Sequence, residues 1–187
     1  MTATLPVEPT TVRTRRRAVR SARRLPLLPV RARKVVLLLH VISSVGWLGL
    51  SMANIVLAVT GYTTADPVRQ HTAYNALGML GDLLLTPVSL TAFGTGLVLA
   101  FGTRWGLLKH KWVFAKFLLT AVPVVLIQVS LLPTIHDAVA IVAATPAGQL
   151  ADVADPGSGL VAAAFVSTTM YTTSTALSVF KPRRAKR

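Results

Sequence analysis

Three ionisable side chains, His40, Asp82 and Lys116, interrupt otherwise apolar stretches of this chain. Each has a chemistry that an apolar setting sharpens. An imidazole can ligate haem iron or relay a proton, and a carboxylate inside a membrane can accept one. A lysine inside a helical bundle must pair with something, whereas one near its edge can climb back to water along its own flexible stem. Trp47 and Asn54 belong with His40 because, at about 100° per residue, His40, Ser43, Ser44, Trp47, Ser51 and Asn54 gather on one helical face. A second face collects Asn75, Gly78, Asp82, Thr86, Ser89, Phe93 and Gly96, and a third Lys109, Trp112, Lys116, Thr120, Pro123 and Ser130. The chain has no cysteine, which excludes disulfides, thiolate metal sites and a cysteine nucleophile together. His71, His136 and the nearby aspartates have no recognised metal-ligand spacing, so no metal site is expected and these residues read as solvated loop positions.

These residues need elements to position them, and composition says which. Of 187 residues 52% are apolar and only 14% charged, too greasy for an ordinary soluble domain. Stretches long enough to cross about 30 Å of hydrocarbon run over 35–60, 73–101, 112–132 and 159–180. The expected fold is therefore all-α, a four-transmembrane-helix bundle occupying 34–181. The basic residues orient it. Ten lie between Arg13 and Lys34, three (Arg104, Lys109, Lys111) between the second and third spans, and five after the fourth, whereas Arg69 stands alone in the first outer loop. The positive-inside rule then places both termini in the cytoplasm and two loops outside.

Residues 1–33, rich in arginine and proline, read as a disordered cytoplasmic arm, and 182–187 as a basic tail. Their charge attracts anionic lipids at the cytoplasmic face; no nucleic acid is expected, because nothing aromatic interleaves with the arginines. Arg23-Arg24 before an apolar run, with Ser51-Met52-Ala53 behind it, has the outline of a cleaved signal, but the run continues through Val59, so an uncleaved span is expected.

On simple rise arithmetic Asp82 lies roughly 13 Å from the outer edge, near the midplane and level with Trp47 and with Thr168 to Thr169. Lys116 lies roughly 7 Å and His40 roughly 9 Å from the cytoplasmic side. Pro87 and Pro123 should kink their helices. The outer segment 133–158 reads as the longest loop, its Thr134 to Ala144 portion able to extend the third span, and Asp155-Pro156-Gly157 as the turn that brings the chain back. The hydroxyls from Ser167 to Ser178 either pack the fourth helix against its neighbours or line a polar path. A bis-histidine haem would need a second buried histidine, and His110 is the candidate on the right side.

His40-(x6)-Trp47-x-Gly49 in a first span, with Trp112 and Lys116 opening a third, is similar to the pattern of small bacterial helical-bundle membrane proteins. These include copper-resistance CopD-like proteins, membrane protoporphyrinogen oxidases and an uncharacterised actinobacterial four-helix family. The resemblance implies a haem or porphyrin site served by His40 and Lys116.

Three functions are then open for a multi-pass protein of the inner membrane. One is a structural or accessory protein, acting with a membrane protein partner or as a homo-oligomer. The second is a haem- or porphyrin-handling oxidoreductase using His40 and Lys116. The third is a small proton-coupled transporter using Asp82, with Trp47 and Asn54 as further intramembrane functional residues.

Overall fold

The computed structural model describes residues 28–102 and 111–180, with side chains from 114 onward in the second range. Most of the arginine-rich arm, the basic tail, Arg104, Trp105, Lys109 and His110, together with the Trp112 side chain, lie outside the described residues. Every element among the described residues is helical. We label the rods α1 (Val30–Thr63), α2 (Pro67–Gly102), α3 (running on through Lys111–Leu126, Ile127–Leu131 and Leu132–Ala144) and α4 (Ala154–Phe180).

Three of these, α1, α2 and the Phe114–Ala144 part of α3, are long and apolar enough to cross a membrane, which makes this a multi-pass membrane helical protein. The rods pack in sequence: α1 lies against α2 and α4, and α3 against α2 and α4, so α1 and α3 face each other across the diagonal. Small residues allow the closest approaches. The backbone of Gly96 lies against the His40 imidazole, and that of Gly61 against the Tyr74 ring.

The helices extend past the apolar stretches. Between α1 and α2 only Thr64 to Asp66 turn the chain, where the Asp66 carboxylate accepts from the Val68 N–H (3.0 Å) as an N-cap with Pro67 behind it in the first turn. At the far side 133–158 is mostly helix rather than loop. α3 runs to Ala144, and α4 already begins at Ala154, with Pro156 and Gly157 inside its first turn instead of forming the expected reversal. Proline is accepted there because a first-turn N–H has no intrahelical partner to lose. Only 145–153 forms a connecting loop.

α2 and α3 share a device. Each contains one five-residue π-helical turn, Gly81–Leu85 and Ile127–Leu131, and each ends two residues before a proline, Pro87 and Pro133. A proline ring cannot donate to the carbonyl four residues back and collides with it, so widening the turn behind it is one way to keep the rod continuous. The wider turn takes in an extra residue and rotates everything beyond it by about 100° relative to an uninterrupted helix.

Two apolar clusters fill the interior. The outer one joins Ala58, Tyr74, Leu77, Ile135, Ala138 and Val142 with Ala151 and Val153 of the connecting loop and Leu160 of α4. The loop is held by Gln70, 4% exposed, whose amide both donates to the Ala151 carbonyl (3.1 Å) and accepts from the Ala151 N–H (2.8 Å). His71 Nε2 adds a bond to the Gln149 carbonyl (3.2 Å). The inner cluster packs Trp47, Leu85, Ala92, Val124, Ile127 and Tyr171, with the Trp47 and Tyr171 rings 4.2 Å apart.

Candidate functional site

The polar face expected on α1 is real, but its members do different things. Ser43 and Ser51 are buried and donate back to carbonyls of their own helix, Ser43 to Leu39 (2.7 Å) and Ser51 to Trp47 (3.0 Å), which satisfies them without a partner helix. Trp47 Nε1 and Asn54 Oδ1 are buried and have no hydrogen-bond partner among the described residues; the same holds for Thr168 Oγ1 and the Tyr74 and Tyr171 hydroxyls. A pocket of about 10 Å³ lies against Asn54, lined also by Ser167 and Leu131, close to the smallest space that admits one water. A larger cleft, about 170 Å³, opens between α3 and α4 along Pro123, Ile127, Ser130, Ser167 and Tyr171.

His40 reaches from α1 onto α2. Its Nδ1 lies 3.0 Å from the Ala92 carbonyl and 3.1 Å from Thr95 Oγ1. A carbonyl can only accept, so Nδ1 carries a proton. The Thr95 hydroxyl hydrogen is already directed to the Thr91 carbonyl (2.6 Å), and its oxygen is free to accept as well. The other nitrogen, Nε2, is left without a partner among the described residues. A backbone bond of this kind fixes the tautomer and aims the remaining nitrogen, as it does in histidines that bind metals or move protons. Lys116 is half-buried on α3. At the same level Phe93 of α2 packs on Phe117 of α3, ring centroids 5.8 Å apart.

Asp82 lies elsewhere. It does not face the interior; it stands on the outside of the α2–α3 seam, where its carboxylate accepts from His136 Nε2 at 2.8 Å, the two side chains being 57% and 56% exposed. Of the polar face expected on α2, Gly78 and Ser89 are buried while Asn75 and Asp82 are exposed: seven residues apart, Asn75 and Asp82 point the same way, on the flank of the buried stripe through Tyr74, Gly78, Gly81, Leu85 and Ser89. Gly81, next to Asp82, is the residue that meets α3: a Cβ there would lie 3.1 Å from Leu132 Cδ2. His136, read from the sequence as a loop residue, is on α3. One turn further along the seam Gln128 donates to Thr86 Oγ1 (3.2 Å). Nor is Trp47 level with Asp82; it packs on Leu85 and Ala92, nearer the other end. Asp82 thus turns away from the interior that a translocation path through the bundle would use. A signal for the two matched turns lay in the sequence, where Pro87 follows Asp82 and Pro133 follows Gln128 by five residues each.

Outward-facing residues change character at this pair. On its inner side the surface is an apolar belt, with Val45, Leu83, Leu90, Val122, Val129 and Val179 all exposed. Beyond it the exposed positions are mixed, with Arg69, Thr72, Asn75, Asp137 and Ser158 beside exposed Val56, Val68, Met79 and Leu150.

No cluster of three or more metal-ligating side chains occurs among the described residues. No family model, curated protein or solved structure matches this chain.

Proposed function

We propose that this chain is an accessory or structural protein of the cell inner membrane, a bundle of four membrane-crossing helices with both termini cytoplasmic and an outer head standing clear of the bilayer. The observation that carries the reading is the exposed apolar belt together with the exposed Asp82–His136 pair at its outer edge. From Leu83 to Phe101 the belt spans roughly 27 Å of helix, close to the hydrocarbon thickness of about 30 Å. The Asp82–His136 pair then sits at the outer headgroup boundary, where water reaches it and no partner is needed to offset its charge. The rods continue past this boundary, so the outer apolar cluster and the Gln70 clamp belong to the head. α4, diluted by hydroxyls that bond back to their own helix, crosses with its three neighbours. The basic flanks on the other side meet anionic lipid.

Topology reporters test this directly. Fusions after Pro67 and after Ala154 are expected to report the outer side, and a cytoplasmic signal from either overturns the orientation. The head predicts in addition that a cysteine placed at Asn75 reacts with a membrane-impermeant thiol reagent from outside, while one placed at Leu90 does not.

A second reading rests on the geometry at His40. With Nδ1 tied to Ala92 and Nε2 unpartnered among the described residues, His40 is presented as a ligand, and by the resemblance to porphyrin-handling bundles Lys116 would serve the same site. If haem binds, protein purified in detergent carries a Soret band that disappears in His40→Ala. A colourless protein with normal yield of that variant removes the reading and leaves the accessory one standing.

A further inference from the structure

We propose that the cleft between α3 and α4 holds one acyl chain of a phospholipid drawn from the leaflet on the Asp82–His136 side, with an ethanolamine-type ammonium headgroup at Asp137 and Asp155 beside its mouth. That this leaflet is the outer one rests on the orientation given above; the binding itself does not.

The first support is a space that the packing leaves open. The cleft measures about 170 Å³. An apolar space of about 150 Å³ admits a benzene-sized molecule, so this one admits a run of methylenes. The neighbouring seam shows that the opening is local. A Cβ at Gly78 or Gly81 would lie 3.1 Å from Val139 Cγ2 or Leu132 Cδ2, which puts α2 and α3 in close contact, whereas the nearest atom of another helix to a Cβ at Gly159 is Thr134 Cγ2 at 4.0 Å. On the α3 side the wall includes Pro123 and the π-helical turn, where that rod departs from a regular helix. On the α4 side it includes Gly159, Ala163 and Ser167, small residues spaced by four on one face. The cleft is continuous with the apolar belt, since Leu126 and Val166 on its edges are exposed while Ile127, Leu160 and Tyr171 behind them are buried.

The second support is chemical. No charged side chain lines the cleft. Of its polar groups, Thr134 and Ser167 donate within their own helices, to the carbonyls of Ser130 (2.8 Å) and Ala164 (3.1 Å), and Ser130 stands at the exposed edge. The Tyr171 hydroxyl is buried, which leaves its ring to the cleft. A neutral hydrocarbon chain is the complement of such a lining. Length agrees with this. Pro123 to Thr134 spans roughly 16 Å of helix, about half the hydrocarbon thickness, and Thr134 is two residues from His136 at the outer edge of the belt. The cleft therefore reaches from the headgroup boundary to about the midplane, the depth of one acyl chain. One turn beyond its outer end, Asp137 follows Thr134 by three residues and Asp155 precedes Gly159 by four, both exposed and neither in an ion pair among the described residues. From Phe117 to Phe180 there is no lysine or arginine. Carboxylates without a fixed cation attract an ammonium and repel an anionic headgroup.

The test uses the full chain in neutral detergent and reads its thermal midpoint as dioleoyl phosphatidylethanolamine, dioleoyl phosphatidylglycerol or oleyl alcohol is added, each variant being compared with itself without lipid. Binding to the folded state alone raises the midpoint. Phosphatidylethanolamine is expected to raise it most in the natural chain. That gain is expected to be lost in Ala163→Phe and in Gly159→Leu, each of which fills the cleft, and kept in Ala162→Phe on the exposed flank of α4. The double variant Asp137→Asn, Asp155→Asn should respond equally to the two phospholipids. A gain that survives in both filled variants, or that is lost in Ala162→Phe as well, overturns the proposal, as does the absence of any gain. Equal gains from the two phospholipids in the natural chain, or a gain from oleyl alcohol as large as that from phosphatidylethanolamine, overturn the headgroup assignment. Light scattering separates a different occupant: if filling the cleft splits a dimer and leaves the lipid gain intact, the cleft is a contact between copies and the proposal fails. Micelles have no inside or outside, so a reversed topology reporter would leave this result untouched.

Discussion

Gly157→Val is expected to destabilise the outer head by about 1–3 kcal/mol, the usual cost of overpacking a filled core, and the variant Tyr74→Phe should restore part of that loss. Tyr74 is fully buried, and a Cβ built at Gly157 would meet its hydroxyl at 2.6 Å and the Tyr62 ring at 2.8 Å. Tyr62 is exposed and can swing away, so the hydroxyl is the obstacle that stays. Gly61→Val should be destabilising to a similar degree but without rescue, because the atom met there is the ring carbon Cε2 at 2.8 Å, which phenylalanine retains. Denaturant titration in detergent of the three single and two double variants measures both couplings. Equal rescue at the two positions would show that the Tyr74 hydroxyl is not the point of collision. Tyr74→Phe alone is expected to be neutral or slightly stabilising, since the hydroxyl is buried with no partner among the described residues.

Gln70→Leu should be the second large effect. Leucine matches much of the volume but withdraws both bonds to Ala151, leaving a buried N–H and a buried C=O unpaired at about 1–3 kcal/mol each. The loss falls on the connecting loop, so hydrogen exchange at the Ala151 amide should accelerate strongly while amides of α1 near Ser43 are unchanged. Gln70→Glu keeps an acceptor for the N–H but loses the donor to the carbonyl and buries a carboxylate, and it is expected to be no more stable than the leucine variant. Protection of Ala151 unchanged in Gln70→Leu would remove the clamp from the account.

Both effects lie in a part of the molecule that hydropathy passes over. The residues from Pro67 to Thr72 and from Pro133 to Ser158 lack the unbroken apolarity that marks a span and read as loop, with Ala73 as the start of the second span. They are helical because they pack on each other. Tyr74, Leu77, Ile135, Ala138 and Val142 are spaced to form a core only once α2 and α3 are antiparallel neighbours. Conversely, of the hydroxyls in the fourth helix that read as helix glue or a polar path, Ser167, Thr169, Thr173 and Ser178 bond to their own backbone, while those of Thr168 and Tyr171 are buried without a partner among the described residues.

The candidate site divides in the same way. That His40 and Lys116 lie at one level follows from counting residues inward from the basic flanks, because rise per residue is constant in a helix. The same counting put Asp82 near the midplane, whereas it stands at the outer edge of the apolar belt. For α1 the wheel holds, and Ser43, Trp47 and Ser51 are buried as drawn. For α2 the face was drawn too wide: Asn75 and Asp82 lie on the flank of the buried stripe, and Asp82 emerges beside His136 instead of inside the bundle.

The amino-acid sequence by itself determined that this chain is all-helical and that it has membrane-crossing length and apolarity, because these depend on composition and on the length of apolar runs. Only the tertiary structure decided which way Asp82 faces and where along the apolar belt it stands, that the Tyr74 and Gln70 contacts build an outer core, and that His40 spends one nitrogen on Ala92 and keeps the other. Those are matters of rotation about a helix axis and of contact between residues distant in sequence, which no count along one helix contains.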